Sequence, residues 1–277
     1  MNANEIVLGI DIGGTTTAFG FVDRHGKLLA TGVIPTAAEQ PAEALVARLQ
    51  AEIGALQAGL PPGLQLKGIG IGAPNANYRR GTVENPPNLN WGASVNLVEL
   101  FQRFYALPVA VTNDANAAAL GELYFGGART MPDFLVITLG TGLGSGIVAN
   151  GELLYGADGF AGELGHTVVD PQGRQCGCGK AGCLETYVSA TGLCRTTFAL
   201  LAERREPSPL REVSYQQMTA QKVFAAAGAG DVIALAAFAA TARILGMKLA
   251  DAVAHTGPEA IFLAGGLASK GKGDVAC

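Results

Sequence analysis

Within eight residues near the middle of the chain stand three cysteines, Cys176, Cys178 and Cys183, separated by glycines, and ten residues upstream Glu163-Leu164-Gly165-His166 adds an imidazole. One imidazole and three thiolates satisfy a tetrahedral zinc ion. The Cys-x-Cys pair gives a tight bite, and the glycines let the chain wrap the ion. Four protein ligands close the coordination sphere, which predicts a structural rather than a catalytic zinc. The alternative is a set of reduced cysteines in a glycine-rich loop. The chain has five cysteines in all, an odd number, and in a reducing compartment such a cluster indicates metal before disulfide. Glu163 and Glu185 flank the ligands, where carboxylates could accept hydrogen bonds from ligand hydroxyls or simply face solvent.

Two glycine-rich turns are the next candidates. Asp11-Ile12-Gly13-Gly14-Thr15-Thr16 follows an apolar strand, and its small residues let backbone N–H groups approach phosphate oxygens. The aspartate at its start could hold Mg²⁺ through water. No lysine follows and no helix begins there, so it is neither a Walker loop nor a dinucleotide fingerprint. The second turn, Gly140-Thr141-Gly142-Leu143-Gly144-Ser145-Gly146, offers a similar set of donors. Either turn alone reads equally as an ordinary tight hairpin. A third candidate, Asn113-Asp114, lies where a strand meets a helix, so the helix's positive end favours an ionised carboxylate there. It reads as a helix cap or, in phosphoryl transfer, as the group accepting the proton of an attacking hydroxyl; spacing alone does not decide. Trp91, the single tryptophan, follows Asn88-Leu89-Asn90 and either shapes a pocket or packs its loop down. His25 reads as solvated, His255 as a helix-end residue and Cys194 as a buried helix residue.

The elements that position these residues are legible from pattern. Residues 10–29 and 137–154 are similar: each reads as strand, Gly/Thr turn, strand, polar turn, strand, with Ile10 matching Ile137 and Asp11 matching Thr138. A repeat at that separation is too long for a solenoid and predicts two similarly built lobes with the site in the cleft between them. Pro41 opens a helix with Leu45, Leu49, Ile53 and Leu56 on one face. Residues 66–74 read as a buried strand, 107–125 as strand then helix, and 185–204, 219–227 and 231–255 as helices; 261–264 is a strand ending at Gly265-Gly266. Strands alternating with helices mean an α/β fold. Residues 205–217 read as a flexible surface loop.

Composition excludes other classes. The 277 residues are 49% hydrophobic and 15% charged, too apolar for a disordered chain and long enough for a core without disulfides. A net charge of −4 gives no general attraction for nucleic acid or an anionic bilayer. The N-terminus has no signal-peptide pattern and no apolar stretch reads as a membrane span, so a cytoplasmic protein is expected.

With these motifs in hand, the chain resembles the bacterial sugar kinases of the ROK family (repressors, open reading frames, kinases), in the actin-like and hexokinase-like ATPase superfamily. The likeness runs from Ile6 to about Leu267: IDIGGTTTAFGFVD resembles the first phosphate motif, TLGTGLGSGIV the second, IFLAGGL the adenosine motif, and GELGHTVVD with CGCGKAGCLETYVSA the family signature. The resemblance implies a two-lobed fold of ribonuclease H-like lobes, here residues 1–117 and 118–277. It further implies ATP-dependent phosphorylation of a hexose at its 6-hydroxyl, glucose before fructose, mannose, N-acetylglucosamine or N-acetylmannosamine, with Mg²⁺ and a structural zinc. Asp114 would be the general base, and Asn88, Asn113, Glu163, His166 and Glu185 would bind the sugar. Asp11, Gly13, Gly14, Thr15, Thr16, Thr141 and Gly142 would face the phosphates, with Gly265 and Gly266 at the adenosine. His166, Cys176, Cys178 and Cys183 would hold zinc, and a homodimer is expected. Regulators of the family carry a helix-turn-helix ahead of the first phosphate motif, and only ten residues precede Asp11 here, which favours the kinase; a non-catalytic sugar-binding relative is the other alternative. Family members continue past the adenosine glycines with a strand and a long helix, so weaker ATP binding than in a longer relative is expected of a chain reaching only residue 277.

Overall fold

The computed structural model describes residues 4–269; the expected departure at 270–277 lies outside them. The chain forms two compact units, the first running to Thr130 and including Leu153–Ala161, the second comprising Met131–Glu152 and the chain from Gly162 onward.

The first unit opens with the hairpin meander expected of residues 10–29. Strands β1 (Glu5–Ile12), β2 (Thr16–Asp23) and β3 (Leu28–Pro35) pair antiparallel in sequence. Helix α1 (Ala42–Ala58) buries Leu45, Leu49 and Ile53, the predicted face, in one cluster with Ile6, Leu8 and Phe21 of the sheet. Each such side chain is worth about 1.5–3 kcal/mol of transfer free energy. Strand β4 (Gln65–Gly72) returns parallel to β1. A small sheet of β5 (Ala76–Asn77), β6 (Thr82–Glu84) and β7 (Ser94–Asn96) leads to α2 (Leu97–Gln102). Then β8 (Val109–Thr112) adds parallel to β4, giving the order β3-β2-β1-β4-β8, and α3 (Asp114–Tyr124) follows at once. Helix α3 is continuous through residues 117 and 118, so the units part at Thr130 and not at the sequence-based boundary. Residues 153–161 are tied to this unit by Asn77 Nδ2 donating to the Asp158 carbonyl at 2.7 Å, by Arg79 on the Gly156 carbonyl, and by Tyr78 stacked on Tyr155 at 4.5 Å. Trp91 is buried with Leu89 in the core of the unit while Asn88 and Asn90 stay exposed, so the tryptophan packs its loop down.

The second unit repeats the opening. Strands β9 (Phe134–Leu139), β10 (Leu143–Ala149) and β11 (Glu152–Leu153) form a meander in which β9 and β10 are antiparallel. Its helices are α4 (Ala190–Glu203), α5 (Ala220–Gly228) and α6 (Val232–Thr256), followed by β12 (Ala260–Ala264) parallel to β9 and a short α7 (Gly266–Ser269). The sheet order β11-β10-β9-β12 repeats β3-β2-β1-β4. Each long helix starts on a side-chain cap: Ser189 Oγ, Thr219 Oγ1 and Asp231 Oδ1 accept from the N–H groups of Gly192, Lys222 and Ala234. The Ser189 cap explains why α4 begins at Ala190 rather than at residue 185.

Two expectations need correction. Residues 205–217 are not a loose loop. They form two 3₁₀ turns, Pro209–Glu212 and Tyr215–Gln217; Leu210 is buried among the helices, and the Arg211 guanidinium donates to the carbonyls of Leu201, Arg204 and Glu206. One leucine in a polar stretch has no periodicity to announce it. Helix α6, at 25 residues, is long and apolar enough by length and composition to cross a membrane, although no such stretch was expected. Alternating alanine with larger apolar residues keeps its hydropathy high, and here its Ile233, Ala234 and Ala237 join the buried cluster formed with α4 and α5.

Candidate active site

In the first unit the sheet brings the turn and both aspartates to neighbouring strand ends. Gly13 closes the turn by donating its N–H to the Thr16 carbonyl at 3.0 Å. Asp11 lies across from Gly72 in the β1–β4 register, and a Cβ built on Gly72 would sit 3.6 Å from Asp11 Oδ1 and 3.7 Å from the Asp114 Cα. The two aspartates therefore flank one glycine. Asp11 has its carboxyl raised above its ordinary value of 3.8, first by desolvation among the strand ends and then by the charge of Asp114. Asn113 caps α3, its Oδ1 accepting from the Ala115 N–H at 2.8 Å, and Asp114 Oδ1 accepts from the same N–H at 2.8 Å. The cap reading of Asn113-Asp114 is thus correct, and Asp114 remains exposed beyond it. Asn88 packs on the turn: a Cβ on Gly14 would lie 2.9 Å from the Asn88 Cβ. Thr15 and Thr16 are exposed at the tip.

Thr36 was not anticipated. Its Oγ1 donates to the Gly13 carbonyl at 2.7 Å, its N–H donates to the Thr15 carbonyl, and its own carbonyl accepts from Arg48 of α1 at 2.7 Å. Nothing in the local pattern marks a threonine at a strand end for that role.

In the second unit the turn is held by Glu185, whose Oε2 accepts from the Leu143 N–H at 2.9 Å. A Cβ at Gly142 would displace the Glu185 carboxylate from this position. Glu163 is held from the other side by Ser145: its hydroxyl donates to the Gly162 carbonyl and accepts from the Leu164 N–H. Thr141 and Gly266 share a cavity of about 270 Å³ with Gly140, Ala190, Thr219, Ala220, Gln221, Phe224 and Leu267. Gly265 precedes it with φ of 91°, its Cα close to the Leu139 carbonyl. Of the residues singled out in the sequence, Thr141 and Gly266 line this cavity; the α5 residues that share it carry only a helix-start signal at Thr219.

The cysteine cluster forms as predicted. One ligand atom from each of His166, Cys176, Cys178 and Cys183 lies within 4.8 Å of the others. His166 Nδ1 is 3.6 Å from Cys176 Sγ, and Cys178 Sγ is 3.6 Å from Cys183 Sγ. A tetrahedron with bonds of about 2.3 Å has edges near 3.7 Å, so the donor set fits a zinc ion. Burial and then the neighbouring thiols of Cys178 and Cys176 push the Cys183 thiol up to about 12, the penalty a central dication would reverse. The pairing assigns Nδ1 of His166 to the metal side and leaves Nε2 at the far edge of the ring. His25 is exposed, and His255 Nδ1 bonds the Asp251 carbonyl in the last turn of α6.

A family model described as the ROK family matches residues 7–272. The glucokinase of Halalkalibacterium halodurans is 37% identical over 268 residues, covering 95% of this chain and 81% of that protein. The N-acetylmannosamine kinase of Escherichia fergusonii is 34% identical over 260 residues, covering 93% and 82%. The crystal structure of a ROK family glucokinase from Streptomyces griseus, in complex with glucose and AMPPNP, superimposes with a TM-score of 0.78 at 37% identity, covering 96% of this chain and 84% of that one.

Proposed function

The chain belongs to the ROK family, and from that premise we propose that it is an ATP-dependent hexose kinase that converts glucose to glucose 6-phosphate. The observation that supports this reading most is the placement of the glycine turn, Asp11 and Asp114 at one end of the first sheet, on either side of Gly72 of β4. Phosphoryl transfer needs positioning and charge neutralisation more than covalent help from the protein. Asp114 accepts the proton of the sugar 6-hydroxyl as its oxygen forms a bond to the γ-phosphorus; the bond from that phosphorus to the bridging oxygen breaks and ADP leaves. The carboxylate stands exposed at the start of α3, open to an approaching hydroxyl.

Around that step, Asn88 and Asn113 in the first unit and Glu163, His166 and Glu185 in the second bind the remaining sugar hydroxyls. Gly14, Thr15, Thr16, Thr141 and Gly142 would offer backbone N–H groups to phosphate oxygens, with Gly13 closing the first turn beside them, and Asp11 would hold Mg²⁺. Gly265 and Gly266 border the cavity that takes the adenosine. His166, Cys176, Cys178 and Cys183 would hold a structural zinc, whose charge would draw the loop that carries Glu185 together. Thiolate ligands need a reducing setting, which agrees with a cytoplasmic enzyme.

A coupled assay of ADP release over a hexose panel tests the reading. Asp114→Asn is expected to lower kcat by about 10²- to 10⁴-fold, the usual contribution of a positioned base. Equal turnover by wild type and variant would refute the role of Asp114. N-acetylmannosamine outpacing glucose in kcat/KM would move the substrate to that sugar, as in the relative from Escherichia fergusonii.

A further inference from the structure

Arg174 stands two residues before Cys176 and is not among the four ligands. Its main chain is fixed at both ends: the N–H donates to the Tyr187 hydroxyl at 3.1 Å, and the carbonyl accepts from the Gly182 N–H at 2.7 Å. Its guanidinium lies over the Tyr187 ring, 4.4 Å from the centroid. From there Nη1 donates to the carbonyls of Thr186 and Gly192 at 2.8 and 3.1 Å, and Nη2 donates to Thr196 Oγ1 at 2.9 Å. One planar fork thus joins the cysteine loop, the turn that carries Glu185 and the first turns of α4. A lysine, with its single ammonium, cannot span those three acceptors while stacking on a ring.

The segment it grips is the one that holds the second glycine turn. Glu185 bonds the Leu143 N–H, the Ala190 N–H donates to the Gly140 carbonyl at 2.9 Å, and Thr191 Oγ1 donates to the Thr141 carbonyl at 3.2 Å. On the metal side, Thr186 Oγ1 donates to the Cys183 carbonyl at 2.8 Å. Peptide links and hydrogen bonds together therefore connect Cys176 and Cys183, through Arg174 and residues 184–191, to Gly140–Leu143. From this path we propose that Arg174 is a positioning residue that couples occupancy of the Cys–His site to the nucleotide affinity of the second glycine turn. The inference rests on the zinc and nucleotide sites proposed above. Zinc orders the loop, the loop seats Arg174, and Arg174 fixes the segment that shapes the turn; by reciprocity, nucleotide tightens the hold on zinc.

The test measures the Kd of Mg·ADP by calorimetry for the full chain, zinc-loaded and after stripping by a chelator, in wild type, Arg174→Met and Thr196→Val. Zinc content is read by elemental analysis. In wild type, stripping should weaken Mg·ADP binding by about 5- to 150-fold, the ordinary span of allosteric couplings. In Arg174→Met the ratio should fall to within about two-fold of unity, and Thr196→Val, which removes one acceptor and keeps the charge, should lie between. A residue that only braced the fold would lower the melting temperature and leave the ratio where it was. A wild-type ratio in Arg174→Met, or in Thr196→Val should the former fail to fold, overturns the inference, as does a ratio of one in wild type. Wild-type protein that bound no zinc or no Mg·ADP would instead overturn the reading of the sites themselves.

Discussion

The two glycine turns are made by the same hairpin and held by different chemistry. The first, at residues 11–16, leans on a neutral hydroxyl: Thr36 bonds the Gly13 carbonyl, with Arg48 of α1 behind it. The second, at 140–146, leans on the Glu185 carboxylate and the start of α4. The supports of the first turn come from the strand and helix that follow it in the same sheet layer. Those of the second come from a segment that begins at Cys183. The difference teaches that a repeated local motif can be structurally independent in one copy and tied to the cysteine-rich loop in the other. Hydrogen bonds to a charged acceptor are also the stronger kind, about 1.5–3 kcal/mol against about 1 kcal/mol for neutral pairs.

The largest expected effect breaks the comparison at the second turn. Gly142→Ala drives a methyl into Glu185 and separates the carboxylate from Leu143. Loss of one charge-assisted bond predicts a fall of about 10- to 100-fold in kcat/KM for ATP, together with faster zinc release to a chelator. A variant that kept its zinc at the wild-type rate would separate the turn from the metal loop after all. At the first turn Thr36→Val removes a neutral bond to Gly13 and the shared hydroxyl pair with Thr17. The expected cost is about 1–2 kcal/mol in denaturant unfolding, a few-fold rise in the KM for ATP, and unchanged zinc release.

The smallest effect sharpens the electrostatics. Asp11 has a raised carboxyl pKa in the folded chain, so its contribution to stability is fully present below its unfolded value of 3.8 and is lost as pH rises through the folded value. Asp11→Asn is therefore expected to raise the melting temperature slightly at neutral pH. The advantage should vanish below about pH 4, where Asp11 itself is protonated. A variant less stable than wild type at pH 7 would mean that Asp11 is held by favourable contacts that outweigh its desolvation and the repulsion of Asp114.

Much of the fold was legible because it is written in short-range pattern. The α1 face at Leu45, Leu49 and Ile53 follows from helical spacing, and the two meanders from apolar runs broken by glycine. The interior of 205–217 was not, since Leu210 and Arg211 act through single contacts that no period announces. The choice for Trp91 between pocket and packing turned on which face of its loop met the core.

At the candidate site the same division holds. Ligand type and bite in Cys176-Gly-Cys178 and Cys183 were decided by the sequence, because atoms a few bonds apart have little freedom to avoid one another, and the same is true of Asn113 as the cap of α3. Only the tertiary structure decided that Glu185 would brace Leu143, 42 residues away, that Thr36 would close on Gly13, or that Arg174 would face Thr186, Gly192 and Thr196 at once. Those contacts depend on where whole strands and helices come to rest, and that is set by the burial of apolar faces far from the polar groups that meet as a result.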